Sequence, residues 1–474
     1  MTNEQNGARN ASIRNCILNN GIDRRQCDRI CGDRCAAFSN LAQRRPRNCR
    51  SQKAEKQQAA EQRICLKRKD ALTLHNPGSM TQETQVRGCP LCHIMDFWMT
   101  TPNLSSMLIG DVERQDQVFS QAFSVLQEAM GQRAFPAASA AVTYRGRLIA
   151  LRAFGHFTYE RDSTSVNPTT LFDLASLTKV VATTPVAMLL YERGLLDLEA
   201  PVAAIVPEFV QNAEQDPRRH DVTLRMLLSH SSGLPAYEKL YLKCRTRDEL
   251  FHAAITMPLA ADPATIAVYS DIGFIILGIA LERLADESLD RLCQREIFAP
   301  LAMTSTTFNP PVEIRAQIPP TARDQTFRNK IIQGEVQDEN AYILGGVAPQ
   351  AGLFSTAEDV AKFAHAMLNE GSPIFRPETV RLFTRRESAP SGTSRALGWD
   401  TPSAPSQSGK YFSPNSFGHL GYTGTSLWID PTRELSITLL TNRTWPDCSN
   451  QAIKQVRPKF HDAVIEALEG PVSD

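Results

Sequence analysis

Apolar side chains recur along the chain from residue 118 onward in two spacings, one typical of helices and one of strands. Residues 119–130 carry apolar side chains every three or four positions, which predicts an amphipathic helix. Residues 140–144 and 148–154 alternate between apolar and polar positions around an Arg-Gly pair, which predicts a β-hairpin. The region therefore opens with one helix and two antiparallel strands.

Helical and β-rich segments follow one another through the rest of the chain. Helices are predicted over 174–193, 224–228, 274–284, 356–369 and 451–468, and strands over 427–429 and 435–440. Strand signals thus lie at both ends of the region, with mostly helical segments between them. We therefore expect an α/β fold in which one antiparallel sheet, built from both ends, is flanked by helices and accompanied by a mainly helical second region.

Residues 1–105 differ from the rest of the chain in composition. The first 70 residues contain no Val, Tyr or Trp and only nine Ile, Leu or Phe, too little apolar surface to offset the entropy lost on folding. We predict a disordered, basic, Cys-rich head over 1–105 and a catalytic domain over 107–474. An alternative interpretation places the true start at Met107 or nearby, which would leave much of the head without a function.

Charge is distributed unevenly along the chain. The 474 residues have a net charge of zero, yet residues 1–70 hold 12 Arg and 4 Lys against seven acidic residues. Residues 107–474 hold 42 acidic against 34 basic side chains, so we expect no nucleic-acid binding by the catalytic domain. A nucleic-acid-binding or metal-binding module in the basic head stays open as an alternative.

No cofactor or metal is expected from the cysteine pattern. Eight of the 11 Cys precede residue 93, but the spacing of Cys27, Cys31 and Cys35 does not form the paired C-x-x-C of zinc sites. The haem-attachment pattern at 89–93 lacks the context of a folded haem domain.

The sequence contains no candidate transmembrane segment and no readable secretory signal. No stretch approaches about 18 uninterrupted apolar residues, and the first 30 residues lack an apolar centre. We therefore expect a cytoplasmic protein, or a periplasmic or extracellular one if the start is assigned wrongly.

The candidate chemistry begins at Ser176-Leu-Thr-Lys179. A serine hydroxyl needs a base to become a nucleophile, and a lysine three residues on lies one helical turn away on the same face. A neutral lysine could be that base, and burial would lower its pKa. The apolar neighbours expected to bury it are Leu174, Leu177, Val180 and Val181. The backbone N–H of Ser176, in the first helical turn, is free to hold an oxyanion.

Other motifs accompany this pair in a fixed order. They are Tyr269-Ser-Asp271, His419-Leu-Gly421, and two further stretches at 227–235 and 345–355. Together they make residues 118–468 resemble the serine β-lactamase-related family, which includes class C β-lactamases, penicillin-binding proteins, D-aminopeptidases and esterases. The resemblance implies a β-lactamase/transpeptidase-like fold with the active site in the cleft between the sheet and the helical region.

The resemblance also implies roles for individual residues. Tyr269 would share proton transfer with Lys179, and the backbone N–H of Tyr422 would be the second oxyanion donor. Gly421 and His419 would line the substrate site. His419 would either bind a substrate carboxylate when protonated or hydrogen-bond Tyr269 when neutral. No cofactor or metal is implied.

Two departures from the family pattern bear on the substrate. Asp271 replaces the usual Asn of the substrate site, and an ionised Asp can accept but not donate a hydrogen bond. Leu420 replaces a hydroxyl-bearing residue that often binds a carboxylate. Both changes favour carboxylic esters as substrates over β-lactams and D-amino-acid peptides. A D-amino-acid peptidase, a DD-carboxypeptidase, a β-lactamase and an inactive ligand-binding protein on the same scaffold remain the alternatives.

Three further residues receive no catalytic role. His230, within the 227–235 stretch, is expected to fix a turn. Asp338 and Glu339 lie in a loop similar to a Val-His-Asp-Glu-Asn stretch of relatives, but Gln337 replaces its His.

Overall fold

A computed structural model describes residues 108–211 and 214–470, all of which belong to one compact unit. The predictions made for the head, namely its disorder, its possible binding role and the start at Met107, lie outside the described residues. Among the described helices, none is long and apolar enough to cross a membrane.

Eleven strands occur in the described residues. The strands are β1 (Ile109–Gly110), β2 (Ala137–Tyr144), β3 (Arg147–Gly155), β4 (Phe172–Asp173), β5 (Thr307–Phe308), β6 (Ala322–Asp324), β7 (Lys330–Ile332), β8 (Leu353–Ser355), β9 (Phe417–Leu420), β10 (Ser426–Asp430) and β11 (Leu435–Thr441). Six of them form the main sheet in the order β1-β3-β2-β11-β10-β9. The antiparallel sheet predicted from both ends of the region is confirmed, except that β1 pairs with β3 in parallel.

Helices connect and cover these strands. The α-helices are α1 (Gln115–Val118), α2 (Ser120–Gly131), α3 (Thr184–Glu192), α4 (Val202–Ile205), α5 (Leu224–Leu228), α6 (Arg247–Ile255), α7 (Asp271–Ala285), α8 (Leu289–Cys293), α9 (Val312–Arg315), α10 (Glu339–Ile343), α11 (Ala357–Leu368), α12 (Pro377–Thr384) and α13 (Ile453–Glu469). Short 3₁₀ turns span Ala175–Leu177, Pro207–Val210, Pro217–Asp221 and Leu240–Leu242, and π turns span Lys179–Thr183 and Gln294–Phe298.

Alternating side chains of the main sheet bury two different faces. Trp428 and Ile437 belong to the apolar cluster that includes Phe460 of α13, so α2 and α13 cover one face. Leu427 and Val360 belong to the larger cluster on the other face, where α11 packs against β2, β10 and β11. The side chains of a β-strand point alternately to opposite faces. Because apolar residues occupy both sets of positions in these strands, the sheet is buried on both sides.

Helix α7 lies at the centre of the helical region. Every side chain from Ile272 to Leu281 is buried, which explains why this helix is apolar on all sides rather than amphipathic. Tyr269, two residues before this helix, has its ring centre 5.6 Å from that of His419 on the edge strand β9.

The structure differs from the sequence predictions where elements are short or irregular. Strands β1 and β4–β8 were not predicted, because two or three residues are too few to show an alternating pattern. The single helix predicted over 174–193 begins instead with the 3₁₀ turn and the π turn before continuing as α3. Such irregular turns are frequent at functional sites.

One buried side chain joins three parts of the chain at the end of the main sheet. The Oδ1 atom of Asn442 accepts from the backbone N–H of Ala137 at 3.1 Å. Its Nδ2 atom donates to the carbonyl oxygens of Phe157 and Pro320, each at 2.9 Å. Asn442 is 1% exposed, so both donated bonds replace contacts with water that folding removes.

We expect Asn442→Asp to lower the free energy of unfolding by about 2–3 kcal/mol, because the carboxylate cannot donate to either carbonyl and is buried beside both. Chemical denaturation measures this free energy. The matched control is Asn309→Asp, because Asn309 also donates to a carbonyl, that of Gly345 at 2.8 Å, but is exposed. The control should change stability by less than about 0.5 kcal/mol. Equal effects of the two substitutions would contradict the role assigned to Asn442.

Candidate active site

A buried carboxylate shapes the turn that carries the predicted nucleophile. Strand β4 ends at Asp173, whose Oδ1 accepts from the backbone N–H of Ala175 at 2.8 Å and whose Oδ2 accepts from that of Gln337 at 2.7 Å. Ala175 has a φ of 47°, a left-handed conformation that is uncommon for a residue other than glycine. Burial raises the pKa of Asp173 to about 6, although the two N–H donors act to lower it. The strained residue immediately before Ser176 is thus held in place by its neighbours.

The side chain of Lys179 is fully buried and meets three oxygen atoms. Its Nζ lies 3.2 Å from Oγ of Ser176, 2.7 Å from Oδ1 of Asp271 and 2.9 Å from the carbonyl oxygen of Gln350. An ammonium group has three protons to donate, and each of these atoms can accept one. The structure therefore brings the predicted Ser-Lys pair together and adds a carboxylate to it.

The expectation that burial would leave Lys179 with a lowered pKa is wrong. Burial lowers it, but the carboxylate of Asp271, which also accepts a hydrogen bond from Nζ, and the neighbouring Tyr269 together outweigh burial, and the pKa of Lys179 lies above its ordinary value. The sequence alone could not show this because Asp271 is 92 residues away along the chain. In the resting site Lys179 is a cation paired with a carboxylate, so it must lose a proton before it can act as a base.

Asp271 occupies the first turn of α7. The hydroxyl of Ser270 caps the helix by accepting from the backbone N–H of Gly273 at 2.9 Å, and the N–H of Asp271 donates to the carbonyl of Ala236. The N-terminus of a helix carries partial positive charge, so it stabilises a carboxylate there. Only Oδ1 of Asp271 is bonded to Lys179. Its predicted contact with substrate stays a prediction.

The hydroxyl of Tyr269 is buried and has no hydrogen-bond partner among the described residues. Nζ of Lys179 lies 4.9 Å from the centre of its ring. Burial raises the pKa of Tyr269, and the positive charge of Lys179 opposes that rise. His230 packs at 4.8 Å from the same ring, and its Nδ1 accepts from the backbone N–H of Ser270 at 3.1 Å. As expected from the sequence, His230 holds the turn that presents Tyr269.

His419 is a neutral side chain in this site. Its Nδ1 donates to the carbonyl of Leu420 at 2.8 Å, so Nε2 carries the lone pair, and Nε2 has no partner among the described residues. Burial, together with the positive charges of Lys179 and Arg395, holds the pKa of His419 well below its ordinary value. The expected carboxylate contact through a protonated His419 is therefore not supported. The alternative hydrogen bond to Tyr269 is not formed either, although the ring centres are 5.6 Å apart.

The segment after β9 lies against the nucleophile turn. A Cβ atom on Gly421 would fall 2.6 Å from the carbonyl oxygen of Leu174 and 1.9 Å from Oγ1 of Thr425, so only glycine allows this approach. The hydroxyl of Thr425 itself donates to that carbonyl at 2.9 Å. The backbone N–H groups of Ser176 and Tyr422 have no hydrogen-bond partner among the described residues. Both are open to hold an oxyanion, as the resemblance implies.

The sequence analysis missed the contribution of Gln350 and Asp338. Gln350, in the 345–355 stretch, supplies a carbonyl oxygen to Lys179, and its Nε2 reaches Oδ1 of Asp338 at 3.4 Å. Burial and the negative charge of Asp271 raise the pKa of Asp338 to about 7. The sequence signal for these residues is the similarity of the loop to the Val-His-Asp-Glu-Asn stretch of relatives. Gln337 in place of the His of that stretch argued against a role in the site.

No group of three or more His, Cys, Asp or Glu side chains within residues 108–211 and 214–470 is arranged to hold a metal ion. The chemistry assembled here consists of a hydroxyl, an ammonium group, a phenol, carboxylates and two open backbone donors.

Comparison with known proteins places this arrangement in a wider group. The model of the Beta-lactamase family matches residues 123–456. The chain is similar to an N-acetylmuramyl-L-alanine amidase of Bacillus subtilis, with 35% identity over 345 residues that cover 65% of this chain and 77% of the relative. It is also similar to a putative D-alanyl-D-alanine carboxypeptidase of Escherichia coli K12, with 33% identity over 303 residues that cover 58% of this chain and 69% of the relative.

A solved structure shares the fold at lower identity. EstCE1, a hydrolase with promiscuous acyltransferase activity, superposes with a TM-score of 0.60 and 20% identity. The superposition covers 74% of this chain and 99% of EstCE1. The β-lactamase/transpeptidase-like fold expected from the motifs is confirmed.

We expect Asp271→Asn to move the acid limb of the pH profile of kcat/KM toward lower pH. The carboxylate raises the pKa of Lys179, so its removal lets Lys179 lose its proton at a lower pH. Hydrolysis rates measured across the pH range test this. The matched control is Asp248→Asn, an exposed acid in the first turn of α6, and it should leave the profile in place. A profile of Asp271→Asn that stays fixed or moves upward would contradict the ion-pair account.

We expect Gly421→Ala to reduce kcat/KM by about 100-fold, because the added methyl group separates the open N–H of Tyr422 from the nucleophile turn. The control is Gly131→Ala at the end of α2, where a Cβ atom meets nothing within 4 Å. Steady-state kinetics on one ester, with circular dichroism to verify folding, measures both. Activity of Gly421→Ala equal to that of the control would show that this close approach is not needed.

Proposed function

This chain belongs to the beta-lactamase family, and from that membership we propose that it is a serine hydrolase that works through an acyl-enzyme on Ser176. The observation that carries the proposal is the 3.2 Å contact between Oγ of Ser176 and Nζ of Lys179, a lysine with no exposed surface. A helix cap with a solvated lysine, the ordinary interpretation of such a pair, would leave the lysine in water.

The proposed reaction starts from the form of the site in which Lys179 is neutral. Lys179 has lost one proton to water, at a pH that its pairing with Asp271 at 2.7 Å raises, and its Nζ accepts the hydroxyl proton of Ser176. Oγ of Ser176 bonds to the acyl carbon, and the N–H groups of Ser176 and Tyr422 hold the oxyanion. As that intermediate collapses, Tyr269 gives its proton to the leaving group and is reprotonated by Lys179.

Deacylation repeats these steps with water as the attacking group. Water loses a proton to the Tyr269-Lys179 pair, its oxygen bonds to the acyl carbon, and Oγ of Ser176 leaves with a proton. The products are the free acid and the enzyme with neutral Lys179, the form that started the reaction, so no further reactant is needed.

Carboxylic esters are the leading substrate class. Asp271 stands where relatives use an amide donor, and its Oδ1 is engaged by Lys179. His419 is neutral and Leu420 has no hydroxyl, so the segment that often binds a carboxylate in this family lacks both of its usual groups. Hydrolysis of an ester depends least on these missing contacts, because its leaving group departs readily even when no carboxylate or amide of the substrate is bound.

Amide bonds of D-amino-acid or cell-wall peptides are the second candidate. The observation that favours them is that two relatives above 30% identity are named as an amidase and a putative carboxypeptidase. An inactive binding protein on this scaffold is the alternative of another class.

We expect the full chain to hydrolyse a short p-nitrophenyl ester, and Ser176→Ala to reduce kcat/KM by roughly 10³-fold or more. A chromogenic cephalosporin and a D-alanyl-D-alanine peptide, tested in parallel, separate the substrate classes. The control is Ser124→Ala, which removes an exposed hydroxyl on α2. Unchanged hydrolysis in Ser176→Ala would refute the assigned nucleophile. Folded wild-type protein that turned over none of the three substrates would favour the binding protein.

A further inference from the structure

The turn between β9 and β10 is bonded to a buried arginine of α13. Arg457 is 4% exposed. Its Nη2 atom donates to the carbonyl oxygens of Gly421 at 2.7 Å and Thr425 at 2.8 Å, and its Nε atom donates to that of Gly424 at 3.3 Å. Its Nη1 atom donates to Oε1 of Gln407 at 2.9 Å. Three of its four acceptors are thus backbone carbonyl groups of one short turn.

One of these carbonyl groups belongs to the peptide that carries an expected oxyanion donor. The carbonyl of Gly421 and the N–H of Tyr422 are the two ends of a single trans peptide group. A trans peptide is planar, and its C=O and N–H point in opposite directions. A hydrogen bond that holds the carbonyl therefore also sets the direction of the N–H. In this way Arg457 determines where the open N–H of Tyr422 points.

The same contact strengthens the N–H of Tyr422 as a donor. Hydrogen bonds in a chain polarise one another, and a bond from a charged donor is stronger than one from a neutral donor. The other expected oxyanion donor differs in this respect. The N–H of Ser176 shares its peptide with the carbonyl of Ala175, which accepts from the neutral hydroxyl of Thr178 at 2.7 Å. Of the two donors, Tyr422 is the one with a cation bonded to the carbonyl of its peptide.

The charge of Arg457 has no anionic partner in the resting site. Burial and the neighbouring charge of Arg443 lower its pKa to about 9, so it remains a cation at neutral pH. No carboxylate of residues 108–211 or 214–470 forms an ion pair with it. A buried cation without a partner is unfavourable, and nearby negative charge offsets that cost. An oxyanion held by Tyr422 would bring such a charge to the far end of the same peptide, which stabilises the intermediate more than the resting enzyme.

We propose that Arg457 is a positioning residue for the reaction at Ser176, and that it directs and polarises the N–H of Tyr422 for the oxyanion. The inference rests on the proposed acyl-enzyme function and deepens it. Because Arg457 is buried and bonded to the turn, it acts through the peptide of Gly421 and Tyr422 and not on the substrate itself.

The test compares two substrates that differ only in the atom that becomes the anion. One is p-nitrophenyl benzoate, and the other is p-nitrophenyl thionobenzoate, in which sulfur replaces the carbonyl oxygen. Sulfur is the weaker hydrogen-bond acceptor, so donors directed at this atom favour the oxygen ester. Rates are divided by the spontaneous rates in buffer, which removes the difference in intrinsic reactivity. We expect the wild type to prefer the oxygen ester by about 10- to 100-fold in corrected kcat/KM.

Arg457→Gln should lower kcat/KM for the oxygen ester by about 10- to 100-fold, mainly through kcat, and should bring the corrected ratio of the two substrates close to one. Arg457→Lys should keep part of the ratio, because it retains the charge but reaches fewer carbonyl groups. The matched control is Arg219→Gln. Arg219 is also 4% exposed and also donates to three backbone carbonyl groups, those of Phe209, Ile255 and Met257. The control should keep the wild-type ratio.

The ratio separates a contribution to oxyanion binding from a loss of folded protein. Fewer folded molecules slow both substrates by the same factor and leave the ratio unchanged. An unchanged ratio in Arg457→Gln would therefore overturn the inference even if both rates fall, and so would an equal fall of the ratio in Arg219→Gln. Circular dichroism verifies folding, and if Arg457→Gln does not fold, the same comparison is made with Arg457→Lys.

A binding measurement separates failure of this inference from failure of the proposed function. Phenylboronic acid bonds through boron to a serine Oγ and forms a tetrahedral boronate anion with release of one proton, so one of its oxygen atoms mimics the oxyanion. Calorimetry should give a Kd about tenfold or more higher for Arg457→Gln than for the wild type, and an unchanged Kd for Arg219→Gln. If the wild type hydrolyses neither substrate but this difference is found, the hydrolase proposal fails and the role of Arg457 at the anion site stands. An equal Kd in Arg457→Gln, or no binding to the wild type, refutes the inference.

Discussion

The buried charge of Lys179 is the constraint on which the rest of the site depends. An unpaired ammonium group with no exposed surface would be strongly destabilising, so three oxygen atoms must reach it. They come from Ser176, from Asp271 at the start of α7 and from the backbone of Gln350. Three segments far apart in the sequence therefore have to converge, and their convergence brings the hydroxyl of Ser176 and the carboxylate of Asp271 to one ammonium group.

The pairing of Lys179 is complete, whereas several neighbouring polar groups are unpaired. The hydroxyl of Tyr269 and Nε2 of His419 are buried without partners, and the N–H groups of Ser176 and Tyr422 are open. Native proteins satisfy most buried polar groups, so a cluster of unsatisfied ones marks a place where a ligand completes the bonding. Under the proposed function these unsatisfied groups would serve the hydroxyl of Ser176 as a preorganised acyl-transfer centre.

Long periodic elements and ordered motifs could be predicted from the sequence, and pairings between distant residues could not. The hairpin of β2 and β3 and the helices α2, α11 and α13 have enough residues to show their periods, so their bounds were predicted within a few residues. The two-residue strand β4 shows no period. The sign of the pKa change of Lys179 depends on Asp271, which local sequence does not place nearby.

The central claim is that Ser176 forms a covalent acyl-enzyme, and mass spectrometry of acid-quenched protein tests it most directly. The full chain mixed with an ester and quenched within the first turnover should gain the mass of one acyl group, carried on the peptide that contains Ser176. The same experiment on Ser176→Ala should show no added mass. Hydrolysis by the wild type without any acylated Ser176, or an acyl group found on another residue, would contradict the account.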